Sequence, residues 1–160
     1  EKATCSEFFK AIAASSSLPF LSAPVMVEGA YYLDGGLSIP IPFRKAISDG
    51  FHKMIVITTR DKNYRKDVDK KRHETALKAL YGRYPKLIAT ILAYPRTYNH
   101  DAADLEQLEN DGVAFVIRPE QPIILKQTEK DKEKLGLVYL SGRNTADRIM
   151  PKLLEYLKHE

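Results

Sequence analysis

The sequence predicts an α/β fold, and three observations carry that prediction. Lys53-Met54-Ile55-Val56-Ile57-Thr58-Thr59 and Val113-Ala114-Phe115-Val116-Ile117 are short, β-branched, almost continuous apolar runs. Such runs suit strands buried on both faces. Helical stripes lie between and after them, and a short hairpin precedes them. Two strands and a hairpin still make a thin sheet, since an ordinary sheet has about five or six strands. The first βαβ units are therefore expected to be missing. With 160 residues and 18.2 kDa, the chain fits one domain spanning residues 1–160.

Thr4-Cys5-Ser6-Glu7 matches a capping box, with Thr4 as N-cap and Glu7 reaching back. Phe8, Phe9, Ile12 and Ala13 then share one helical face, which Ser15-Ser16-Ser17 should end before Leu18-Pro19. Val25-Met26-Val27 and Ala30-Tyr31-Tyr32-Leu33 flank Glu28-Gly29 as a hairpin. Its second strand reads as packed on both faces. Ser38-Ile39-Pro40-Ile41-Pro42 must be extended, and Pro42 suits the first turn of a helix carrying Phe43, Ala46 and Ile47. Asp49-Gly50 ends that helix, and the strand from Lys53 is parallel to its neighbours if the helix is a crossover.

Ala76, Leu77, Leu80 and Tyr81, then Leu87, Ile88, Ile91 and Leu92, mark helices punctuated by Tyr84-Pro85 and Tyr94-Pro95. A further helix covers Asp101 to Asn110, and Asp111-Gly112 stops it. The last helix carries Ala146, Ile149, Met150, Leu153, Leu154 and Leu157. Pro151 should kink it or mark its start.

Composition excludes several classes. No apolar run approaches the ~20 residues needed to cross a bilayer. Residues 1–15 do not read as a secretory leader, because Glu1, Glu7 and Lys10 interrupt them. A single cysteine, Cys5, excludes an internal disulfide and fits a cytoplasmic setting; it reads as a semi-buried bystander. His52, His73, His100 and His159 are scattered without ligand spacing, so no metal is expected. The net charge is +4. Residues 60–73 hold seven basic residues against three acidic, enough to supply that whole excess. This run reads first as a solvated loop. A competing reading is a non-catalytic module that uses Lys70, Lys71 and Arg72 to bind an anionic membrane or nucleic acid. Only Tyr64 is aromatic within it, and no base-reading module is visible, which disfavours nucleic acid.

Tyr31-Tyr32-Leu33-Asp34-Gly35-Gly36-Leu37-Ser38 carries the chemistry. An apolar strand ends in a carboxylate, and two glycines follow. Glycine allows backbone angles that other residues avoid and leaves space beside the carboxylate. Asp-Gly by itself is an ordinary turn signal. An unpaired carboxylate at a sheet rim is costly, however, so Asp34 needs a partner or a task.

Ala14-Ser15-Ser16-Ser17-Leu18-Pro19-Phe20, then Tyr32 to Ser38, then Pro40-Ile41-Pro42, resembles the patatin-like phospholipases, and more narrowly their bacterial predicted esterases. Ile117-Arg118-Pro119 after a strand and Leu140-Ser141-Gly142-Arg143 before a final helix fit the same branch. The resemblance implies a three-layer, Rossmann-like sheet with helices on both faces. It also implies a serine acyl hydrolase with a Ser-Asp dyad, no histidine and no cofactor. Asp34 takes the place of the catalytic Asp, with Gly35 and Gly36 as its supporting loop. The family's Gly-x-Ser-x-Gly elbow and glycine-rich oxyanion loop are absent. The chain is accordingly expected to be a C-terminal part, inactive alone, with a lipid or acyl ester as the parent's substrate. Its expected partners are the missing segment or a second copy at an open sheet edge, with peripheral membrane contact. A pseudoenzyme fragment is the remaining alternative. Ile39 stands where relatives usually carry a polar residue before the proline.

Overall fold

A computed structural model describes residues 5–69, 74–126 and 128–158. Its elements are α1 (Cys5–Ser15), β1 (Val25–Val27), β2 (Ala30–Tyr32), α2 (Phe43–Ser48), β3 (Met54–Ile57), α3 (Glu74–Tyr81), α4 (Pro85–Asn110), β4 (Ala114–Ile117) and α5 (Lys132–Lys158). They are mixed α/β. They do not form one sheet: β1 pairs with β2 antiparallel, and β3 pairs with β4 parallel, in two separate two-stranded sheets. The chain divides into two compact units, Glu1–Ile41 with Asp67–Asn99 and Pro42–Lys66 with His100–Glu160.

In the first unit, α1 packs on the hairpin. Glu28 and Gly29 both take positive φ, 48° and 82°, as a two-residue primed turn requires. Glu7 stands in the first turn of α1. Its carboxylate pairs with Lys10 at 2.6 Å and accepts the Glu28 N–H at 3.2 Å, tying the helix to the turn. Lys10 first, then the Glu28 amide, hold the Glu7 carboxyl below the usual carboxylate range. A lowered folded pKa means this contribution is present at neutral pH and lost as pH falls through it. Thr4 lies outside the described residues. Cys5 is exposed rather than semi-buried. Strand β2 is exposed along its length, with Tyr31 and Tyr32 half in water. Its outer edge has no neighbouring strand among the described residues.

In the second unit, the β3–β4 register sets Met54 opposite Ala114 and Ile57 opposite Ile117. Tyr156 of α5 fastens the start of this pair. Its hydroxyl donates to the Val113 carbonyl at 2.8 Å and accepts the Met54 N–H at 3.2 Å. Its ring packs on Phe115, with centroids 5.4 Å apart. Arg118 closes the far end of β4 on Glu109 at 2.5 Å. Arg44 of α2 reaches the buried Asp101 at 3.5 Å and also binds Asp104.

Two helices are longer than their prolines suggest. Pro85 opens α4, as a first-turn proline should, but α4 runs through Pro95 to Asn110 without a break. A mid-helix proline costs about 3 kcal/mol; burial of Ile91 and Leu105 on either side offsets that cost. Helix α5 begins at Lys132, so Leu140-Ser141-Gly142-Arg143 lies inside it rather than before it, and Pro151 is internal.

Burial is sparse. The accessible surface is 12,190 Å². The buried apolar side chains are Ala14, Ile41, Phe43, Met54, Leu77, Ile91, Leu105 and Ala114 among the described residues. Phe8, Phe9 and Ile12 on α1 and Ile57 on β3 are all more than half exposed.

Two stability measurements follow from these contacts. Tyr156→Phe keeps the ring contact but leaves the Val113 and Met54 groups without their hydroxyl partner. It should lower unfolding stability by about 1–2 kcal/mol, read from the urea midpoint at unchanged slope. Glu28→Asn relieves a non-glycine residue at positive φ and should raise stability by about 0.5–1 kcal/mol.

Candidate functional site

The site begins where α1 ends. Serines at a helix terminus bond back to the preceding turn and stop it. Ser15 donates to the Ile12 carbonyl at 2.8 Å, Ser16 to Ala13 at 3.1 Å and Ser17 to Ala13 at 2.9 Å. All three hydroxyls are thereby turned onto helix carbonyls and away from nucleophilic duty. Ser17 is buried, and its own carbonyl accepts the Asp34 N–H at 2.9 Å. That bond, across 17 residues, fixes where the strand end of β2 meets α1.

Asp34 is half-buried. Its Oδ1 accepts the Gly36 N–H at 2.7 Å and caps a single 3₁₀ turn, Gly35–Leu37. No ion pair and no other side-chain hydrogen bond involves Asp34 among the described residues, so Oδ2 keeps its acceptor capacity. The two glycines serve differently from the expectation. Neither Gly35 nor Gly36 takes positive φ, so the turn needs no left-handed backbone. A Cβ on Gly36 would lie 3.0 Å from Asp34 Oδ1, whereas one on Gly35 would meet nothing within 4 Å. Gly36 is small so that its amide can hold the carboxylate; Gly35 is small beside open space.

The neighbours of Asp34 open into two hollows. Leu33 and Gly35 line one of about 220 Å³ together with Ala14, Val27 and Tyr32. Leu33 also lines a larger one, about 510 Å³, with Pro24, Tyr31, Tyr81 and Tyr84. Both are mainly apolar. The turn after α1 is pinned toward α3: Phe20 sits at φ 69°, donates its N–H to the Tyr81 hydroxyl at 3.2 Å, and stacks edge-on against that ring at 5.8 Å. Strained non-glycine backbone of this kind persists only where its surroundings enforce it.

Chemically, a carboxylate with one oxygen anchored and one open can accept a proton from a hydroxyl brought within about 3 Å. No described side chain fills that role here. Sequence reasoning singled out Asp34, Gly35 and Gly36. It did not find Ser17 as anchor or the Phe20–Tyr81 clamp, because partners 17 and 61 residues apart leave no local pattern.

The basic loop is partly self-satisfied. Arg60 and Lys66 lie over the Tyr64 ring at 4.6 and 5.7 Å, and Arg65 pairs with Glu106 at 2.8 Å. Lys70, Lys71, Arg72 and His73 lie outside the described residues. Among the described residues no helix is long and apolar enough to cross a membrane, and no cluster of three metal-ligating side chains occurs.

The glycine geometry makes a paired prediction. Gly36→Ala should displace the carboxylate and cost about 1 kcal/mol. Gly35→Ala should be neutral or add up to about 1 kcal/mol by restricting the unfolded chain. Chemical denaturation of both variants distinguishes the two positions.

Residues 84–158, covering α4, β4 and α5, match a family described as a domain of unknown function, DUF6363. No curated protein and no solved structure matches the chain.

Proposed function

We propose that this chain is the base-supplying part of a patatin-like serine acyl hydrolase. In that reading Asp34 is the general base of a Ser-Asp dyad, the serine lies on a preceding segment, and the substrate is an acyl ester of a lipid. The observation that carries it is the state of Asp34. The residue is anchored through its N–H to Ser17 and through Oδ1 to Gly36, it is free of ion pairs among the described residues, and its neighbours line apolar hollows. A serine hydroxyl is a weak nucleophile until a positioned base takes its proton.

The same reading accounts for the exposed strands. Both sheets are two-stranded, so β2 and β3 each keep an outer edge without a strand among the described residues. Upstream strands of a three-layer sheet would cover such edges and the bare α1 face, and would complete the fold that the resemblance implies.

In the longer parent enzyme, Asp34→Asn should lower turnover of a chromogenic acyl ester about 10²–10⁴-fold. The 160-residue chain should show no turnover. Near-equal rates for the parent and its variant would end the proposal.

A further inference from the structure

Helix α5 has two faces, and the fold uses one. Ile149, Leu153 and Tyr156 are half-buried on the side that packs on β4. A second row, Leu140, Arg143, Asp147, Met150, Leu154 and Leu157, advances by alternating steps of three and four residues. That spacing is the seam of a two-helix coiled coil. All six are exposed, with Leu140, Leu154 and Leu157 about half in water. Arg143 and Asp147 make no hydrogen bond or ion pair among the described residues, although α5 carries one nearby from Arg148 to Glu120.

We infer that this seam pairs two copies of the chain as an antiparallel helix dimer. The charges choose the partner and its direction. In a parallel pair each seam residue meets itself, setting Arg143 against Arg143 and Asp147 against Asp147. In an antiparallel pair centred at the level of Thr145, Arg143 meets Asp147 of the second copy, and the pairing repeats on the other side of the axis. The same register sets Leu140 against Met150 of the second copy. It also sets Leu154 against Gly136, whose missing side chain leaves room.

Thr145 is the midpoint of Lys132–Lys158, so both helices overlap along their whole length. Sequence position, charge and helix length thus select one two-fold arrangement, in which the same patch faces itself. The overlap is about 40 Å long and about 10 Å wide, which buries roughly 800 Å² in all. That is a small interface, and it fits micromolar association. The inference does not rest on the role of Asp34.

Sedimentation of the 160-residue chain tests it. The chain should be dimeric at about 100 μM and dissociate on dilution. Arg143→Glu and Asp147→Arg should each weaken the dimer at least about tenfold, since like charges then meet across the seam. The double variant Arg143→Glu/Asp147→Arg should restore it, with helical circular dichroism unchanged in all three. A monomer at every concentration, a dimer indifferent to the single reversals, or a double variant that stays monomeric would overturn the proposal. Recruitment of the seam to phosphatidylglycerol vesicles in place of self-association would do so too.

Discussion

Scarcity of buried apolar surface is the constraint on which the rest of this structure depends. Hydrophobic burial normally sets the mutual position of elements. Here only a few apolar side chains are sealed from water, and large ones on α1, β2, β3 and α5 remain outside. Single polar links therefore set position where a core would otherwise do so. The Tyr156 hydroxyl joins Met54, the first residue of β3, and Val113, just before β4, to α5. Arg44 neutralises the buried Asp101. Glu7 holds the hairpin turn on α1. Such links are directional, and they define geometry even where they add little net free energy.

Asp34 shows the consequence at a site. Its backbone is tied to the end of α1 by one bond, and its side chain is tied to its own turn by another. The three serines before it stop the helix, which brings the Ser17 carbonyl to where the strand end can reach it. Phe20, held in an unfavourable conformation by Tyr81, carries the chain away from that junction. The result is a carboxylate with little freedom and one open oxygen. An exposed, mobile aspartate on the same turn would lack that orientation.

The long helices carry a second lesson. Proline within α4 and α5 fails to end either, because apolar contacts on both sides of Pro95, and the Tyr156 anchor beyond Pro151, hold the helical path. The cost of one lost hydrogen bond is local, whereas the gain from packing accumulates along the helix. The length of α5 also carries an exposed row that runs from Leu140 to Leu157.

By itself the sequence determined the local elements. Continuous β-branched apolar runs marked Met54–Ile57 and Ala114–Ile117, helical periodicity marked the α1 and α3 stripes, and Glu28-Gly29 and Asp49-Gly50 marked their turns. It also singled out Asp34 with its two glycines, because an acid after an apolar strand breaks the pattern around it. Only the tertiary structure decided which strands share a sheet, since β1–β2 and β3–β4 are equally apolar and pairing depends on contacts distant in the chain. It alone decided that Ser17 anchors Asp34, that Tyr81 clamps Phe20, and that Gly36 is small for proximity rather than for backbone angle. The physical reason is shared by all of these: each is an interaction between residues that propensity and spacing treat independently, and chain neighbours carry no record of it.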